Sequence, residues 1–327
     1  MRYVALILVL AFAAACYSAS EVSYSNPQTA TSNQWLIEFK NDESKAQLTM
    51  HYRRERDSGG FNHSSTGFGI GLDQLTGLSR DQIMSSAGNP VRFQLKRDAG
   101  TFNFEGWFKE GNGSGHFTFA PSSSFAADLN RLGFGQANGE QLQSLAMSDV
   151  GFAYINELKA QGYDTATIDQ LVRMGNHGVR MDYLQGLKSL GYNVKTTDLI
   201  VRMKDHGVSL NFIRELGALG YSNLSPEELV RTKDHGVSAD FISEFTAAGY
   251  DRASLDQWIR VKDHGVSSTF VKELKEMGYN NIPLDQLVRL KDHGVSANYI
   301  KRMKEKGHSD LTLDEFIRMK DRGEREE

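Results

Sequence analysis

The spacing of apolar residues changes once along the chain. Trp35, Ile37 and Phe39 alternate with polar neighbours, as do Leu48, Met50 and Tyr52, while Phe68, Ile70 and Leu72 alternate with glycines. A period of two is the mark of a strand with one face packed. The stretch VRFQLKRDAGTFNFEGWFKEGNGSGHFTF adds three more strands, with turns expected near Asp98–Gly100 and Gly111–Gly115. Ser79 followed three residues later by Gln82 spells a capping box, so one short helix is expected between the third and fourth strands. Residues 32–120 therefore predict an antiparallel β-sheet or sandwich-like domain.

After Ser122 the pattern repeats every 29 residues. Gly133-Phe134, Gly162-Tyr163, Gly191-Tyr192, Gly220-Tyr221, Gly249-Tyr250, Gly278-Tyr279 and Gly307-His308 stand one period apart, and so do Phe125, Tyr154, Tyr183, Phe212, Phe241, Phe270 and Tyr299. Seven repeats fill 122–324 without an insertion. Each spells two short helices. The first opens at a capping serine such as Ser209 and ends at the Gly-Tyr glycine; the second opens in LSPEEL style at Ser225-Pro226 and ends at the glycine of HGV. Helices of about ten residues are marginal alone, so each pair must bury its apolar columns against its neighbours. The fold class is accordingly α+β in two domains: the β domain, then an α-solenoid of seven 29-residue helix pairs. The first repeat is atypical, with Ser144, Ala146, Met147, Ser148 and Asp149 where later ones spell R, K, D, H and G.

The polar letters recur as strictly. Arg173, Arg202, Arg231, Arg260, Arg289 and Arg318 form one column, Lys204, Lys233, Lys262, Lys291 and Lys320 a second, Asp205, Asp234, Asp263, Asp292 and Asp321 a third, and His177, His206, His235, His264 and His293 a fourth. Arg202, Asp205 and His206 share one helix face. In the architectural reading arginine pairs with aspartate within or between repeats, and histidine meets the helix dipole and terminal carbonyls. An aspartate so close to a helix C-terminus calls for a compensating partner. In the functional reading Arg173, Arg202, Arg231, Arg260 and Arg289, with His206, His235, His264 and His293, form a stripe that grips an extended ligand. A shared metal ion is not expected, since one histidine per repeat cannot supply several ligands within about 2.3 Å when packed helices lie about 8–10 Å apart. No cofactor is expected either.

Charge and the N-terminus narrow the setting. The 327 residues are 39% hydrophobic and 24% charged, with a formal charge of −4. Together with the aspartate columns, this disfavours nucleic acid as a partner. Residues 1–20, with Arg2 followed by an apolar run from Val4 to Ala15, read as a secretory signal peptide too short to span a bilayer comfortably. Cys16, the single cysteine, admits two readings. It follows Ala13-Ala14-Ala15 as the acylated cysteine of a lipoprotein would, giving a membrane attachment through lipid alone; or Ala13 and Ala15 form an ordinary cleavage site. The expected location is exported, periplasmic or lipid-anchored.

In the β domain, GNGSG lacks the G-K-[ST] ending of a phosphate loop and reads as a hairpin turn. Glu105, His116 and Asp98 are the residues an envelope hydrolase could use, although spacing assembles no nucleophile, base and orienter. The combination of RDAGTFNFEGWFKEGNGSGHFTF with LVRMKDHGVS repeats resembles an extracytoplasmic region attached to bacterial beta-lactam-sensor type membrane metallopeptidases. The peptidase's H-E-x-x-H is missing, so its activity does not carry over. The expected function is a non-enzymatic exported binding, scaffold or sensor protein with a protein, peptide or envelope-polymer partner; the alternative is the envelope hydrolase.

Overall fold

A computed structural model describes residues 33–39, 45–55, 61–163, 167–251 and 253–323. The signal segment 1–20 and Cys16 lie outside the described residues. The chain packs as two compact units. One runs to Leu95 and includes Phe102–Thr118; the other comprises Lys96–Thr101 and everything from Phe119.

The first unit is built on one antiparallel sheet. Its strands are β1 (Gln34–Glu38), β2 (Lys45–Glu55), β3 (Phe61–Gly71), β4 (Leu75–Thr76), β5 (Asn89–Arg97), β6 (Gly100–Lys109) and β7 (Asn112–Pro121), in the order β3-β2-β1-β7-β6-β5-β4. Six strands are those expected from the alternation; β4, only two residues long, escaped it because so short a run carries no period. Leu72, expected on the third strand, begins a 3-10 turn instead. The short helix α1 (Arg80–Met84) does open on the Ser79–Gln82 capping box.

Trp35 lies at the centre of the sheet's inner face. It is fully buried, meets Phe93 edge-on at 5.2 Å and packs on Phe108 at 5.5 Å. Its indole N–H donates to the Glu105 and His116 carbonyls at 3.2 and 3.1 Å. The expected GNGSG turn is corrected here. The turn itself is Glu110-Gly111, both with positive φ as a two-residue hairpin requires, and Asn112–Gly115 already pair with Glu38–Trp35 in the sheet. Gly113 and Gly115 are small because of what lies over them. A Cβ on Gly115 would meet the Glu105 carbonyl, Gly106 Cα at 2.6 Å and the Trp35 indole nitrogen at 2.8 Å, and one on Gly113 would enter the Phe108 ring.

The second unit carries the helix pairs: α2 (Ser123–Arg131) with α3 (Gly139–Met147), α4 (Phe152–Ala160) with α5 (Ile168–Asn176), α6 (Met181–Ser189) with α7 (Thr197–Asp205), α8 (Leu210–Ala218) with α9 (Pro226–Asp234), α10 (Ala239–Ala247) with α11 (Leu255–Asp263), α12 (Ser268–Glu276) with α13 (Leu284–Asp292), and α14 (Ala297–Glu305) with α15 (Leu313–Asp321). Each of these fourteen helices in the described residues has nine residues, about 14 Å at 1.5 Å per residue. None is long and apolar enough to cross a membrane. Ser209, Ser238, Ser267 and Ser296 accept the N–H three residues on, and Ser225 with Glu228 closes a capping box.

Gly207, at φ 71°, reverses the chain after α7 and lets Val208 N–H reach the Met203 carbonyl at 2.9 Å. Asp149 takes the equivalent place in the first repeat at φ 55°, where Arg97 pairs with it at 3.1 Å. α4 has no side-chain cap from its own repeat; Asp98 accepts from Phe152 N–H at 2.7 Å. Second helices of successive repeats pack on each other, as α5 on α7 and α7 on α9, and first helices do likewise, as α6 on α8. Phe212, Ile213 and Leu216 are buried by this stacking, each worth about 1.5–3 kcal/mol.

Gly115→Ala is expected to destabilise the protein by about 1–3 kcal/mol or more, because the added methyl meets backbone. Gly69→Ala, where a Cβ meets nothing within 4 Å, should be neutral or gain up to about 1 kcal/mol. Urea unfolding of the two variants checks the contrast.

Candidate functional site

The repeated polar columns form two ladders running from repeat to repeat. Asp198, Asp256, Asp285 and Asp314 stand in the first turns of α7, α11, α13 and α15, where the helix dipole favours a negative charge. Each pairs with the arginine of the preceding repeat: Arg173 with Asp198, Arg231 with Asp256 at 2.7 Å, Arg260 with Asp285 at 2.9 Å, and Arg289 with Asp314 at 3.3 Å. At one step Glu227 replaces the aspartate, and among the described residues Arg202 has no carboxylate partner.

The second ladder uses the aspartates at the helix C-termini. His177 Nδ1 meets Asp205 at 2.6 Å, His206 meets Asp234 at 2.5 Å, His235 meets Asp263 at 2.8 Å, His264 meets Asp292, and His293 meets Asp321 at 2.8 Å. An ionised carboxylate only accepts, so Nδ1 is the donor in each pair. These histidines do sit at the C-cap, as expected, but their rings turn to the next repeat instead of to the terminal carbonyls. Arginine, likewise, does not use the aspartate three residues on; that carboxylate belongs to histidine. The partner that the C-terminal aspartate called for is therefore supplied by the preceding repeat.

The lysine column has a role that the sequence reading missed. Lys204, Lys233, Lys262, Lys291 and Lys320 lie over the rings of Tyr183, Phe212, Phe241, Phe270 and Tyr299 at 4.4–4.8 Å from the centroids. The signal was present, since both columns recur at 29 residues and differ by a constant 21. Deeper in, the Tyr154 and Tyr183 hydroxyls donate to the Val179 and Val208 carbonyls at 2.9 and 2.7 Å. Burial pushes both phenols well above the ordinary tyrosine range, and pushes Tyr163 up to about 12.

All the ladder arginines and histidines remain accessible: paired histidine side chains are 39–40% exposed and paired arginines 49–55%. In the sheet unit two of the hydrolase candidates, Glu105 and His116, lie exposed on the neighbouring strands β6 and β7. Glu105 pairs with Arg92 at 3.3 Å on the outer face, and His116 pairs across β1 with Gln34. Asp98, in the helical unit, caps α4. No cluster of three metal-ligating side chains occurs among the described residues. Comparisons with family models, with curated proteins and with solved structures find no match.

The His206–Asp234 pair is half-exposed, so a double-mutant cycle with alanine should give a coupling of about 0.2–1 kcal/mol. Tyr183→Phe, which copies the residue of the next three repeats, should lose about 1 kcal/mol with its hydrogen bond. A raised folded pKa means stability is fully present below the unfolded value near 10 and is lost as pH rises through the folded one. Alkaline titration followed by circular dichroism should accordingly show a shallower loss for Tyr183→Phe than for the parent chain.

Proposed function

We propose that the protein is a non-enzymatic, exported binding scaffold of the cell envelope, whose helical repeats present the Arg/Asp/His edge to an extended protein or peptide. One observation carries the reading: the edge is both accessible and held. Each paired arginine and histidine is fixed by the next repeat at the same spacing, yet keeps about two-fifths or more of its surface in water. Side chains already ordered lose less entropy when a partner docks. Arg202, without an ion pair among the described residues, offers an unneutralised guanidinium within that edge, suited to a carboxylate of the partner. The signal-like N-terminus and the resemblance to an extracytoplasmic repeat region support the envelope setting.

The test replaces arginines in two contexts. Arg202→Ala removes no ion pair and should leave the melting temperature unchanged, while lowering retention of an envelope partner in pull-downs by about tenfold or more. Arg231→Ala breaks the pair with Asp256 and should lower both, the stability by no more than about 1 kcal/mol. Unchanged partner retention in the Arg202, Arg231 and Arg260 triple alanine variant, with the chain folded, would remove the edge as the binding surface.

A further inference from the structure

A surface cavity between the second and third repeats is lined by three lysines. Of about 500 Å³, it lies between the C-terminal turns of α4 and α6, lined by Lys159, Lys188, Lys195, Gln161, Tyr192 and Asn193 among others. Three ammonium groups border it, and no carboxylate is found among the described residues of its lining. The other cavities described all include an acidic residue: Glu38, Glu273, Glu228 and Glu315 respectively.

Two departures from the repeat pattern coincide here. The register position of Lys195 is apolar in the six other repeats, as Ala137, Ala166, Leu224, Ala253, Ile282 and Leu311. Stacking therefore asks for no charge at this place. Lys195 instead lies beside the Gly162 turn, where its Cε and Nζ are 3.8 Å from the position a Cβ would take. The second departure is Tyr163. In later repeats the corresponding hydroxyls of Tyr221, Tyr250 and Tyr279 donate to Ala253, Ile282 and Leu311 carbonyls at 2.7–2.8 Å. Tyr163, next to Gly162 and 2% exposed, makes no such bond to Lys195, and its hydroxyl has no partner among the described residues.

Lys159 and Lys188 are also held differently from their counterparts. Lys275 and Lys304 reach back to the Ala248 and Met277 carbonyls at 2.5 and 2.9 Å, acting as caps for the preceding first helix. Lys188 instead forms an ion pair with Glu157 at 3.7 Å, and Lys159 lies over the Phe134 ring, 5.5 Å from its centre. The helix ends themselves are satisfied, since Gly162 and Tyr163 N–H close onto Lys159 and Leu158 carbonyls, and Gly191 and Tyr192 onto Lys188 and Leu187.

From this convergence we infer that the cavity between α4 and α6 is a binding site for a small ligand carrying two or more oxyanion charges. Its volume suits a small molecule, and compact ammonium charges on flexible stems can close on phosphate or carboxylate oxygens. The dipoles of the two helix C-termini oppose an anion, so the lysines have to outweigh them. The site is independent of the Arg/Asp/His edge, and either can fail without the other.

Calorimetric titration of the full chain at low salt, with inorganic pyrophosphate and separately with citrate, tests the assignment. One-to-one saturable binding of either is expected. Pyrophosphate alone would mark the ligand as a phosphate ester and citrate alone as a polycarboxylate. Lys195→Leu, the residue of the fourth repeat, should weaken binding by about tenfold or more with an unchanged melting temperature. Lys195→Gln serves if the leucine variant does not fold. Lys301→Leu removes the same charge from the cavity bordered by Glu273 and Glu276, and should leave binding within about twofold. No saturable binding of either anion, or an equal loss in the Lys195 and Lys301 variants, overturns the site.

Discussion

Every helix in the repeat region is too short to stand alone. At nine residues, the hydrogen bonds gained after nucleation barely offset the order imposed, and the remaining stability has to come from buried side chains. Those side chains find cover on the neighbouring repeat: Leu216 and Val208 are fully buried, as are Leu187 and Val179 one repeat earlier. Interdigitated packing tolerates little variation in how one repeat sits on the next. The same relative placement recurs, and so do the distances available to polar groups at the rim.

That recurrence accounts for the charged spelling. Once each repeat is placed by its apolar columns, an arginine meets the first-turn aspartate 25 residues on, and a histidine meets the aspartate 28 residues on. Exposed pairs of this kind contribute little individually. Their value lies in register, because a slipped repeat would lose both ladders and the lysine–ring contacts at once. The first repeat begins without them; there Asp149 pairs with Arg97, and Asp98 caps α4. The fold can thus vary its rim wherever packing permits, and Glu227 and Lys195 are two such places.

Much of this was legible beforehand because it depends on local rules. Capping serines, the Gly-Tyr and HGV stops and the period of 29 specify helices through their own backbone chemistry, and Ser79–Gln82 specifies α1 likewise. What failed to show was anything depending on a distance between repeats or strands. Arg202, Asp205 and His206 lie on one face in sequence, yet their column's pairings go to two different aspartates of the following helix. GNGSG looked like a turn because glycine serves both turns and close approaches; only the Trp35 indole above Gly115 shows which is meant.

The amino-acid order alone therefore determined where the repeat helices start and stop, the alternation behind six of the strands, how many repeats there are, and which columns face inward. The tertiary structure decided which acid each base meets, which glycines make room for a ring, and where three lysines line one cavity. The physical reason is range. Backbone capping and hydrophobic periodicity act over a few residues and leave their mark in adjacent letters, whereas pairing and cavity formation depend on how separate elements are set against each other by packing.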